Sequence, residues 1–195
     1  MNLPNKLTIV RILLIPIFII LLSCSINMGT VIWLGTTIQV TRIIAALIFA
    51  GACVTDFLDG QIARRQHLVT NFGKFADPLA DKMIVMSAFI ILVSFGFVPA
   101  WVAAVIVCRE LAVTGLRLIV VENNGEVIAA AWPGKIKTFS QMISIILLLL
   151  NDFIYVPFTT VGFGTVILYI CLIFTVYSGV EYFIKSKFIF EDSFK

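Results

Sequence analysis

Charge is what this chain has least of. Only 13% of its 195 residues are Asp, Glu, Lys or Arg, and 61% are hydrophobic, giving a mean hydropathy of +1.08. That composition excludes an ordinary soluble globular domain. Histidine occurs once, at His67, in a polar stretch where it reads as solvated. The four cysteines, Cys24, Cys53, Cys108 and Cys171, are scattered through apolar segments without a C-x-x-C pair. Nothing in that spacing indicates a disulfide framework or a zinc site, and the thiols read as small packing hydrophobes. No repeat, low-complexity tract or linker interrupts the sequence, so residues 1–195 read as a single domain.

Lys and Arg are missing from three places in particular, near 27–37, 95–100 and 151–160. Between them lie about six apolar segments, near 7–26, 38–58, 78–98, 99–121, 138–157 and 161–183, each long enough to cross a bilayer. The expected fold is therefore all-α, a polytopic membrane protein of about six transmembrane helices. The basic residues fall on the other connections: Lys6 and Arg11, then Arg64, Arg65, Lys74 and Lys82, then Arg117, Lys135 and Lys137, and finally Lys185, Lys187 and Lys195. Arg42 is the one basic residue toward the opposite side. The positive-inside rule then puts both termini and the basic loops in the cytoplasm. Trp33 and Trp101 suit an outer aromatic belt and Trp132 an inner one. Leu21-Leu22-Ser23-Cys24 has the look of a lipoprotein cleavage site, but Asn2 to Arg11 reads as functional, so the first segment is expected to be a retained span.

The acids that remain are concentrated. Asp56 and Asp59 are three apart and Asp77 and Asp81 four apart, each pair separated by one helical turn. Two helices meeting there point four carboxylates at one spot at the cytoplasmic interface. Four such charges in an apolar protein repel one another unless a cation sits among them. Hard oxygen donors of this kind suit Mg²⁺ or Mn²⁺, as one ion or two.

A second polar group sits where a bilayer should not hold it. A span from Pro99 to Val121 puts Arg109 and Glu110 near its middle, and charges there mark a functional site by default. Glu110, Thr114 and Arg117 recur at i, i+4 and i+7, on one helix face. The alternative is a structural Arg–Glu ion pair between packed helices. Gly134, Lys135 and Lys137 open the fifth helix, where cations and free backbone N–H groups make a phosphate seat, or simply anchor the chain by the positive-inside rule. Asn5 and Thr8, three apart beyond Pro4, either face the same cavity or cap the first helix.

The stretch from Asp56 to Asp81 reads D-x2-D-G-x2-A-R-x8-G-x3-D-x3-D, formed by Asp56, Asp59, Gly60, Ala63, Arg64, Gly73, Asp77 and Asp81. It is similar to the CDP-alcohol phosphotransferases at every position of their signature. The resemblance implies metal-dependent transfer of a phosphatidyl or related group from a CDP-linked donor, with release of CMP. It implies Asp56, Asp59, Asp77 and Asp81 as metal ligands and Asp81 as the general base, although spacing alone does not separate the roles of Asp77 and Asp81. It also implies nucleotide contacts at Asp59, Gly60, Ala63, Arg64 and Gly73, to which Asn5 and Thr8 are added here. Gly60 and Gly73 let a phosphate approach the backbone, and Arg64 can pair with it bidentately.

Two further stretches, NLPNKLTIVRILLIPIF and Cys108 to Thr138, resemble the phosphatidylglycerophosphate synthase branch of that family. That branch joins CDP-diacylglycerol to sn-glycerol 3-phosphate. A phosphorylated acceptor needs cations of its own, and Arg109, Arg117, Lys135 and Lys137, together with Glu110 and Thr114, are the candidates. Trp132-Pro133 departs from the less bulky pair expected there. The resemblance further implies a homodimer among membrane lipids in a bacterial plasma membrane, with no nucleic-acid partner. The competing readings are the same chemistry on serine, inositol phosphate or phosphatidylglycerol, a membrane prenyltransferase, and a divalent-cation channel or carrier. Prenyltransferases lack the D-G-x2-A-R pattern. A channel would string its acids along a pore.

Overall fold

The structure, a computed structural model, describes residues 3–24, 26–33, 35–66, 71–122, 132–152 and 161–186; at 3–7, 57–66, 71–78, 118 and 121–122 it describes the backbone alone. Among these residues there are six helices: α1 (Leu3–Ser23), α2 (Val40–Gln66), α3 (Asn71–Ser94), α4 (Ala100–Glu122), α5 (Trp132–Leu149) and α6 (Phe163–Lys185). An all-α architecture is what the apolar periodicity predicts. One addition was not expected. Thr30–Trp33 (β1) and Thr36–Gln39 (β2) pair antiparallel, with Thr30 opposite Gln39 and Trp33 opposite Thr36. The β-branched residues favour strand, and Gly35 adopts a positive φ of 80° in the turn between them.

Several boundaries also differ. Hydropathy ends the second segment near 58 and starts the third near 78, whereas α2 runs on to Gln66 and α3 begins at Asn71. The signature is therefore carried on two helices, and the intervening 67–70, with His67, lie outside the described residues. The fifth segment was expected from 138, but α5 starts at Trp132, because Pro133 in the first turn needs no backbone N–H and presets the helical φ.

α1 packs on α2 and α3, α4 on α3 and α6, and α5 on α2 and α6. Phe18, Phe49, Phe89, Leu92, Ile106, Leu148 and Leu168 form the centre of one core cluster. The distribution of polarity is inverted relative to a water-soluble bundle. Arg11 and Lys137 are 1% and 4% exposed, while Leu47 and Ile184 are 67% and 68% exposed. Large apolar side chains face outward on every helix, including Leu13, Ile90, Leu111 and Phe139, far beyond the isolated surface hydrophobes of ordinary proteins. Among the described residues α6 is the one helix long and apolar enough to cross a membrane by composition alone, with hydropathy 2.0. Thr8–Ser23 of α1 is a shorter apolar stretch, and Arg109, Glu110 and Arg117 interrupt α4.

At one end of the bundle Arg42 lies over the rings of Phe95 and Phe97, 4.5 and 5.1 Å from their centroids, and donates to Asn151 Oδ1 at 3.4 Å. Asp56 is about 21 Å further along α2 at 1.5 Å per residue, so the acids occupy the other end. The α5–α6 turn is closed by Asp152, which accepts from the Gly164 and Thr165 N–H groups at 2.6 and 3.0 Å and from Thr165 Oγ1 at 2.8 Å. It thereby caps the N-terminus of α6 from outside the helix. Gly164 is required there, since a Cβ would lie 2.7 Å from Asp152 Oδ1 and 2.8 Å from Leu147 Cβ. Asp152→Ala is expected to cost about 2 kcal/mol or more through lost charge-assisted bonds, read as a lower Tm of the detergent-solubilised protein; an unchanged Tm contradicts the cap.

Candidate active site

The six described helices all contribute to the site. α1 contributes Thr8 and Arg11, three residues apart and both buried, so they share the face that packs on α2 and α3. Arg11 Nη1 donates to Asp56 Oδ1 at 2.9 Å, across an ion pair in which the arginine is 1% and the aspartate 34% exposed. Asp56 on α2 and Asp81 on α3 both act electrostatically on the thiol of Cys53, one turn before Asp56. The two helices thus bring the first and last acids of the signature into one neighbourhood. Asp59 and Asp77 lie on the same helices, but their side chains are outside the described residues, as are those of Asn5, Gly60, Ala63, Arg64 and Gly73. Among the described residues no three His, Cys, Asp or Glu side chains converge as a metal group. Two hard carboxylates from facing helices fit the donor chemistry of a divalent cation, and the remaining two oxygen donors of the signature follow them by one turn on α2 and precede them by one turn on α3.

Asp81 also belongs to a second group. Lys82, Arg11, Lys137 and Glu110 all act on its carboxylate. Next to it is a cavity of about 220 Å³ whose wall includes Asp81, Lys82, Arg109, Glu110, Thr114, Arg117, Gly134, Lys137, Thr138 and Gln141. Glu110 lies at the centre of the polar wall. It accepts from Lys82 Nζ at 2.7 Å and Arg109 Nη1 at 3.4 Å, and from Lys137 Nζ in a close ion pair. One buried carboxylate therefore fixes cations from α3, α4 and α5. A carboxylate repels a phosphate, so what Glu110 supplies is the position of those cations. Arg109 is braced from behind: Nη2 donates to Ser178 Oγ on α6 at 2.8 Å, and Gly179 leaves the space that its side chain crosses, since a Cβ would stand 3.1 Å from Arg109 Cγ. Arg117 is exposed, with its guanidinium 5.4 Å from the Tyr182 ring centroid. Thr114 Oγ1 donates to the Glu110 carbonyl at 2.7 Å.

Lys82, Arg109, Arg117 and Lys137 against Asp81 and Glu110, all lining the cavity, leave a net charge of +2. A phosphate monoester carries about −1.5 to −2 at pH 7. The cavity is therefore charge-matched to a phosphorylated molecule beside a carboxylate.

The structure separates two residues that the sequence reading groups. Lys137 is buried in the cavity wall, whereas Lys135 is exposed, does not line the cavity, and holds its ammonium 5.5 Å from the Trp132 ring centroid. Residues two apart on a helix point to nearly opposite faces, while Gly134, Lys137, Thr138 and Gln141 follow i, i+3, i+4, i+7. Four contributors were missed: Arg11, Lys82, Gln141 and Ser178. The Nε2 of Gln141 is buried without a hydrogen-bond partner in a residue 3% exposed, a costly arrangement unless something enters the cavity. Its i+4 spacing from Lys137 is the signal that identifies it.

A helical bundle that joins signature acids to a cationic cavity at one end defines a phosphotransferase-type site. The sequence profile of the CDP-alcohol phosphatidyltransferase family matches residues 1–177, and this chain belongs to that family. It is 48% identical over 187 residues to the CDP-diacylglycerol–glycerol-3-phosphate 3-phosphatidyltransferase of Bacillus subtilis, covering 95% of each chain. It is 38% identical to a probable phosphatidylglycerophosphate synthase of Mycobacterium tuberculosis, over 95% of this chain and 81% of that one. To the Escherichia coli protein carrying the same name as the Bacillus one it is 34% identical, over 95% of each chain.

Proposed function

We propose that this enzyme transfers the phosphatidyl group of CDP-diacylglycerol to sn-glycerol 3-phosphate, forming phosphatidylglycerophosphate and CMP in a bacterial plasma membrane. The observation that carries the reading is Asp81, whose carboxylate borders both the acid group on α2–α3 and the cavity with a net charge of +2. The names of the relatives support the same substrates.

In this reaction the primary hydroxyl of glycerol 3-phosphate attacks the phosphorus that bears the diacylglycerol. The new P–O bond replaces the one to CMP, which leaves with the electron pair. The acceptor's phosphate sits on Lys137, Arg109 and Arg117, with Lys82 at its edge. That seat directs the far hydroxyl toward the acids, and positioning of this kind accounts for much of the rate in phosphoryl transfer. Asp81 takes the hydroxyl proton as the bond forms. Asp56, Asp59, Asp77 and Asp81 would hold Mg²⁺ or Mn²⁺, which when bound neutralises the diphosphate and orients it. Arg64, Gly60 and Gly73 serve the nucleotide end, with Asn5 and Thr8 beside them.

The inverted polarity of the bundle supports a lipid environment, where backbone groups are satisfied within helices and charges are kept inside. The Lys/Arg asymmetry supports cytoplasmic termini and a cytoplasmic acid site. In a background without native cysteines, an impermeant maleimide on intact cells should label Thr36→Cys and spare Ser193→Cys; labelling of the latter reverses the orientation. Purified enzyme with both substrates should release CMP with Mg²⁺ or Mn²⁺ and stop in EDTA. Turnover near the starting rate in EDTA would exclude the metal role.

A further inference from the structure

Arg11 is the most buried charged side chain of the described residues, at 1% exposure, and it is aimed at Asp56. A basic residue that merely anchors a helix at the cytoplasmic face reaches outward to water or headgroups. Arg11 does the opposite: it lies buried against Asp56, and its charge also acts on Asp81. Burying a guanidinium is expensive unless it is paired, so its placement has a reason in what it pairs with. Asp56 and Asp81 come from different helices, and two close carboxylates destabilise their own approach. A positive charge held against one of them relieves that repulsion, and Arg11 is held against Asp56.

We propose that Arg11 is the resident counter-cation of the acid site, a positioning residue that holds the Asp56 carboxylate in place on α2 while the divalent cation is absent. This rests on the metal reading above. α1 then does more than seal the bundle. It preforms a site that a metal and a nucleotide diphosphate can enter without first ordering the Asp56 carboxylate, lowering the ordering cost of binding. The geometry supports Arg over Lys, because a guanidinium can hold one carboxylate oxygen through Nη1 and direct its remaining N–H groups elsewhere.

The test compares Tm of the full-length, detergent-solubilised protein in EDTA and in Mn²⁺. Wild type should gain stability from the metal, since ligands that bind the native state raise Tm. Arg11→Gln should lose more in EDTA than in Mn²⁺, so that its metal-dependent gain is about twice that of wild type or more. Arg11→Lys, which keeps the charge, should return the gain toward wild type. An Arg11→Gln protein destabilised equally in both conditions has lost packing only, and the proposal is overturned. A wild type without any metal-dependent gain overturns the metal reading and the proposal with it. Should Arg11→Gln yield no folded protein in EDTA, Arg11→Gln/Asp56→Asn removes the charge of the acid that Arg11 pairs with too: recovery of folded protein supports the proposal, and continued failure overturns it.

Discussion

Asp81→Asn is expected to retain CDP-diacylglycerol binding and to lose about 10²- to 10⁴-fold in turnover, the usual cost of removing a general base. The substitution keeps the shape of the side chain and one oxygen. It removes the charge that accepts the proton of the attacking hydroxyl. Asp81 lines the cavity and lies on α3 with Asp77, the other acid of the signature on that helix. Asp56, by contrast, is engaged by Arg11 at 2.9 Å and does not line the cavity. Its replacement by Asn should lower metal-dependent stability and turnover together. Measuring binding and rate on the same preparation separates the two roles. Binding that falls in step with rate makes Asp81 chiefly a ligand and moves the base to Asp77.

The second large effect distinguishes two lysines two residues apart. Lys137→Ala should raise KM for glycerol 3-phosphate and lower kcat/KM by about 10- to 150-fold, the equivalent of one charge-assisted bond of roughly 1.5–3 kcal/mol. KM for CDP-diacylglycerol should change little. Lys135→Ala should leave both within about twofold, because its ammonium lies over Trp132 and outside the cavity. Lys137 is also one of three cations on Glu110, so its removal leaves that carboxylate with Lys82 and Arg109 and the wall largely intact. Equal effects of the two alanines would dissolve the assigned pocket.

The sequence carries the acid group plainly and the cationic cavity only in outline. Asp56 and Asp81 are legible because their spacing to Asp59 and Asp77 is a helical repeat inside an apolar chain. Glu110, Thr114 and Arg117 are legible for the same reason, and all three line the cavity. Arg11 and Lys82 are harder, since a basic residue at the cytoplasmic end looks the same whether it points to headgroups or inward. Lys135 and Lys137 are indistinguishable until α5 is known to begin at Trp132, which fixes the face each occupies. The apolar segment itself begins only near 138, so placing Gly134, Lys135 and Lys137 at the helix opening does not say which face each lysine takes. Ser178 sits in apolar surroundings, where one polar residue carries no sign of its partner. The Asp152 cap joins the ends of two different helices, which no local pattern records, and the β1–β2 hairpin, local as it is, lies in a stretch that hydropathy reads only as an uncharged connection.

The central claim is that the cavity beside Asp81 receives the phosphate of the acceptor. It is tested most directly by kcat/KM for glycerol 3-phosphate against glycerol, serine and inositol, with CDP-diacylglycerol and Mg²⁺ held constant and CMP as the product measured. A strong preference for glycerol 3-phosphate in wild type that shrinks by about 10-fold or more in Lys137→Ala is the expected result. Equal use of unphosphorylated acceptors by wild type, or a preference untouched by Lys137→Ala, would contradict the account.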